Sequence, residues 1–133
     1  MTKTAIIFGW DVRTCPPGHP ARSHADQITG NDVEEFMRAF FGGVQQVRDG
    51  GVDVDVAFIS GENSDDANIE IITAALANKT YDVVLVGNGL RGLADVRFFE
   101  RAVNAVHRGA PSARIVFNNT PYDNPETIAR GFQ

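Results

Sequence analysis

The chain has 133 residues, 43% of them hydrophobic and 22% charged, with a formal net charge of −5. That length and composition suit one globular domain that buries about two-thirds of its unfolded surface without a disulfide or metal staple. The negative balance argues against a nucleic-acid partner, whose phosphates need a basic face. The single cysteine, Cys15, rules out an internal disulfide and fits a reducing compartment, so a cytoplasmic location is expected. No apolar stretch approaches the roughly 18 residues of a membrane span, and the opening "MTKTAIIFGWD" does not read as a cleavable leader.

Four short, nearly continuous apolar runs read as strands buried on both faces of a parallel sheet: 5–10 (AIIFGW), 54–60 (VDVAFIS), 82–87 (DVVLVG) and 114–119 (RIVFNN). Helical periodicity lies between them. Residues 31–49 place Val33, Phe36, Met37, Phe40, Val44 and Val47 at three- and four-residue spacing, with Asn31 as the expected N-cap and Glu34 three residues on. Residues 65–78 repeat the pattern with Ile69, Ile72 and Leu76 behind Ser64 or Asp65. Residues 95–108 carry Phe98, Phe99, Ala102, Val103 and Val106 behind Asp95. A last short helix is expected from Pro125, a good first-turn residue. The alternation predicts a single three-layer α/β/α domain over 1–133, with a four-stranded parallel sheet in flavodoxin-like order 2-1-3-4. Such sheets take ligands outside the carboxyl ends of their strands, at the switch point between the first and third.

The loops at that edge hold the candidate residues. "GNGLRG" at 87–92 spells the glycine pattern of a dinucleotide turn. It occupies the third strand–helix turn rather than the first, the next helix starts near Asp95, and no carboxylate ends the next strand, so the dinucleotide reading fails. Arg91, with backbone N–H groups of Gly87, Asn88 and Gly89, is instead expected to hold a carboxylate or phosphate. Alternatively the glycines only turn the chain and Arg91 pairs with a surface acid. Asn118 and Asp123 follow the fourth strand, and Asp11 and Arg13 follow the first. A phosphate-receiving domain needs an Asp ending the third strand, where Gly87 and Asn88 stand. An FMN site needs a hydroxyl-rich phosphate loop after the first strand, and "GWDVRTCPPG" is not one. No cofactor is expected.

Residues 12–30 lack apolar periodicity and are long for a loop in a compact domain, which points to a lid or binding loop. They contain Arg13, Cys15, His19, Arg22, His24 and Asp26. Cys15 with two histidines falls short of a four-ligand zinc set, so no metal site is expected. Glu100, Asn104 and His107 form a polar stripe that reads as a solvated helix face, or as an interface if two copies meet there.

The strings "YDVVLVGNGLRG", "FFERAVNAVHRGAPSARIVFN" and "TPYD", within residues 81–123, resemble a family of small bacterial Rossmann-like α/β proteins with no assigned reaction. The resemblance implies the same fold and a recurring site near Arg91, Asn118 and Asp123. Two functions follow. One is a binding protein or enzyme for an anionic small molecule, with Arg91, Arg13, Gly87, Asn88, Gly89, Asn118 and Asp123 binding and Asp11 or His24 transferring protons. The other is a non-catalytic, self-associating module, a homodimer, marked by exposed large apolar residues among Trp10, Phe41, Phe99 and Tyr122.

Overall fold

The computed structural model describes residues 2–30 and 32–133. Strand β1 (Lys3–Asp11) pairs in parallel with β2 (Val52–Ser60) on one side and β3 (Val83–Val86) on the other, and β3 pairs in parallel with β4 (Arg114–Phe117). The sheet order is therefore β2-β1-β3-β4, as the alternation predicts. The switch point lies between β1 and β3.

Alternation along β1 builds both core layers. Ile6 and Phe8 point to the face covered by α3 (Asp65–Leu76) and α5 (Val96–Gly109), where Ile72, Leu76, Phe98, Ala102 and Val106 are buried. Ala5 and Ile7 point to the opposite face, covered by α2 (Val33–Asp49) and α6 (Asn124–Gly131) through Phe40, Val44, Val47 and Ile128. All four residues of β3 are buried, which is why that segment is apolar without a break. Ser64 and Asp95 cap α3 and α5 as read from the sequence. Helix α2 is capped by Asp32, whose carboxylate accepts from the Glu35 N–H at 3.0 Å; the expected cap, Asn31, lies outside the described residues.

The stretch at 12–30, expected to be a long lid or binding loop, is largely helical. A 3₁₀ turn spans Val12–Thr14, and helix α1 spans Pro20–Thr29. Gly18 and Gly30, both in the left-handed region (φ 90° and 67°), bracket α1. Periodicity did not reveal it because its only buried residues are Ala21 and Ala25. Two methyl groups are enough to seat a helix but too small to register as an apolar stripe. "GNGLRG" is also helical: Asn88–Gly92 forms the one-turn helix α4, in which Leu90 and Arg91 donate their N–H groups to the Gly87 carbonyl at 3.0 and 3.4 Å. No helix among the described residues is long and apolar enough to cross a membrane.

Candidate functional site

A half-open cavity of about 50 Å³ lies at the switch point. Gly9 and Trp10 from β1, Gly87, Asn88 and Gly89 after β3, and Asn118 after β4 form its inner wall, and Ala21 and His24 of α1 cover it. Phe36, Phe40 and Phe58 contribute an aromatic wall. The volume is a third of the ~150 Å³ apolar cavity that admits benzene, so only a head group of a few heavy atoms enters while α1 stays in place.

Glycines let the walls approach. A Cβ on Gly87 would stand 2.9 Å from the Phe8 carbonyl oxygen, and one on Gly89 would stand 2.6 Å from Trp10 Cδ1. Nothing lies within 4 Å of a Cβ on Gly92. The first two glycines of "GNGLRG" thus serve close packing, and the third does not contact the crossover helix as a dinucleotide turn requires. Trp10 is fixed by its Nε1–H, which donates to the Gly89 carbonyl at 3.0 Å, and by His19, whose ring meets it edge-on at 5.1 Å.

A relay of amides crosses the floor. The Asn88 backbone N–H donates to Asn118 Oδ1 at 2.7 Å, and Asn118 Nδ2 donates to Asn124 Oδ1 at 2.6 Å. A backbone N–H can only donate, so it fixes which end of the Asn118 amide is oxygen, and Asn118 in turn fixes Asn124. Asn124 Nδ2 is left over. Asn124 is 1% exposed and lines the cavity, yet this Nδ2 has no hydrogen-bond partner among the described residues. An unpaired buried donor costs about 1–3 kcal/mol, so a water, an ion or a ligand that accepts from it would be stabilising. At the rim, His24 Nε2 lies 3.3 Å from Asn88 Nδ2.

The structure divides the residues named from sequence into two sets. His24, Gly87, Asn88, Gly89 and Asn118 line the cavity. Asp11, Arg13, Arg91 and Asp123 do not, because each is engaged elsewhere. Asp11 and Arg13 form a bidentate pair (2.9 and 3.0 Å) at the end of β1, and this raises the Arg13 pKa. Exposed Arg91 turns back to the Asn118 carbonyl at 2.7 Å, a partner that is neither the expected anion nor the alternative surface acid. Asp123 closes its own loop by accepting from the Asn119 N–H at 3.1 Å and the Thr127 hydroxyl at 3.4 Å. Sequence reasoning missed Asn124, since an Asn before Pro reads as turn chemistry, and its one visible signal is its place at the carboxyl end of β4. Cys15 is buried against Gly61, and burial raises its thiol pKa. No group of three or more potential metal ligands occurs among the described residues.

No family model matches the chain. No curated protein matches it significantly either. The site therefore rests on its own geometry.

Proposed function

We propose that this protein binds a small molecule at the carboxyl edge of its sheet, under α1. The observation that carries the reading is the unpartnered, buried Nδ2 of Asn124, a lining residue of the cavity at the switch point, where parallel α/β sheets take their ligands. The inner wall is rigid, because it is built on strand ends and the amide relay. The cover is light, because Ala21 and Ala25 are its only fully buried residues and Ile28 is half-buried. His24, within reach of the ligand's outer side, is the one titratable side chain in the lining and the candidate for proton transfer if the protein is an enzyme. An anion held by Arg91 would sit outside this cavity.

Trp10 is the only tryptophan and lines the cavity, so its fluorescence reports occupancy directly. A titration of small metabolites read by Trp10 emission and thermal shift tests the proposal. A ligand at 100 times its Kd stabilises the fold by about 2.7 kcal/mol. Such a shift that weakens in His24→Ala and is unchanged in Arg91→Ala supports the reading. A shift abolished by Arg91→Ala and indifferent to His24→Ala transfers the site to the exposed rim.

A second reading, self-association as a homodimer, draws on Phe41. It is 43% exposed and stacks edge-on against Phe40 and Phe58, beside the unpaired edge of β2. Sedimentation of the wild type and Phe41→Ser tests it: a dimer that dissociates in the variant supports it, and a monomeric wild type rejects it. A cytoplasmic location goes with either reading and rests on the lone, buried Cys15 thiol.

A further inference from the structure

The lining of the cavity constrains what it accepts. Its polar side chains are His24, Asn88, Asn118, Asn124 and the indole of Trp10, and no Lys, Arg, Asp or Glu lines it among the described residues. The cations next to the lining along the chain are each engaged: Arg13 by Asp11, Arg22 by Asp26, and Arg91 by the Asn118 carbonyl. The amide relay leaves one unpaired donor, Asn124 Nδ2, on a lining residue and carries no charge. The opposite wall, Phe36, Phe40 and Phe58, offers only apolar surface. A carboxylate or phosphate would shed its hydration shell there with no Lys or Arg to meet it and only the His24 imidazole able to carry a proton, and an ammonium group would find no carboxylate.

We infer that the ligand is an uncharged carbonyl compound. Its carbonyl oxygen accepts from Asn124 Nδ2, and a small apolar part lies against the three phenylalanines. This inference rests on the pocket reading above and narrows it from any small molecule to one class. It also separates the protein's chemistry from the anion binding that its arginine-containing loop suggests. The size of the cavity keeps the head group small, and any larger body extends past His24 toward solvent.

Three probes with one carbon skeleton test it: propanamide, propanoate and propylammonium. Each is titrated into the ¹⁵N-labelled protein at neutral pH, and the side-chain amide signals of Asn88, Asn118 and Asn124 are followed. Propanamide is expected to move the Asn124 signal and to bind about tenfold or more tightly than either ion, which must desolvate a charge without a partner. Asn124→Asp keeps an oxygen for Asn118 Nδ2 and turns the free donor into an acceptor, so it is expected to lose the preference for the amide. The wild-type ranking decides the inference even if that variant fails to fold. Propanoate binding equally or better at these signals overturns the uncharged-ligand inference and leaves the pocket standing. Signals that respond to none of the three, while Trp10 emission also stays constant, overturn the pocket reading itself.

Discussion

The backbone N–H of Asn88 donates to Asn118 Oδ1 at 2.7 Å, and this bond ties the end of β3 to the end of β4 across the floor of the cavity. Asn118→Ala leaves the Asn88 N–H and Asn124 Oδ1 unpaired together. Each buried group so stranded costs about 1–3 kcal/mol. Asn124→Ala strands only Asn118 Nδ2 and removes the donor that is already unpaired. Urea unfolding is therefore expected to rank Asn118→Ala as clearly less stable than Asn124→Ala. Equal losses would mean that the amides do not form a directed relay.

The glycines after β3 separate in the same kind of experiment. Gly87 donates its N–H to the Phe8 carbonyl at 2.9 Å, continuing the ladder, and a Cβ there would press on that same oxygen. Gly87→Ala is expected to cost about 1–3 kcal/mol through overpacking. Gly92→Ala meets open space and should leave thermal stability unchanged or slightly raised, since the alanine has fewer unfolded conformations to lose. Equal effects from both would contradict the close approach at the β1–β3 switch.

Opposite the site, Lys79 bridges Asp53 and Asp55 at 3.0 and 2.9 Å, and the Tyr81 hydroxyl donates to Asp55 at 2.6 Å. Burial works to raise the Asp55 carboxyl, but the hydrogen bonds from Tyr81 and Lys79 outweigh it and hold its pKa below the ordinary value. Burial and the bond to Asp55 push Tyr81 up to about 12, and the bonds to Asp55 and Asp53 raise Lys79. A lowered carboxyl adds stability above its unfolded pKa of about 3.9 and loses it as pH falls through the folded value. The raised tyrosine adds stability below about 10 and loses it as pH rises to about 12, and the raised lysine acts in the same alkaline direction. A Tm–pH profile should therefore fall at both ends, and Asp55→Asn should flatten both limbs. A variant with the wild-type profile would contradict the network.

Helix α1 is seated by Ala21 and Ala25, whereas α2 buries Phe36, Met37, Phe40, Val44 and Val47. At about 0.8 kcal/mol per buried carbon, the two alanines resist opening far less than that row. Hydrogen exchange should show α1 amides opening well before those of α2, and a bound ligand should slow α1 selectively. Equal protection of both helices without ligand would show that α1 is a fixed wall rather than a lid.

These contrasts also explain what the sequence made legible. The strands and their order were readable because Ile6, Ile7, Val83, Val84 and Leu85 are buried on both faces and leave apolar runs unbroken by polar residues. The capped helices α3 and α5 were readable for a different reason, a single buried stripe at helical spacing, through Ile72 and Leu76 in one and Phe98, Ala102 and Val106 in the other. Helix α1 was not, because alanines carry its contacts. At the carboxyl edge of the sheet, five of the residues named from sequence line the cavity. The charged candidates lie outside the cavity: Asp11 and Arg13 pair with each other two residues apart, Asp123 bonds Asn119 and Thr127 four residues away, and only Arg91 meets a distant partner, the Asn118 carbonyl. The informative residue, Asn124, is uncharged, and its significance lies in a bond it does not make.

The most direct test of the central claim is a crystallographic fragment soak with small uncharged carbonyl compounds. The account predicts a carbonyl oxygen about 2.9 Å from Asn124 Nδ2, beneath His24 and against Phe58. Fragments that gather at Arg91 or along the β2 edge, with the Asn124 amide paired to a protein group instead, would contradict it.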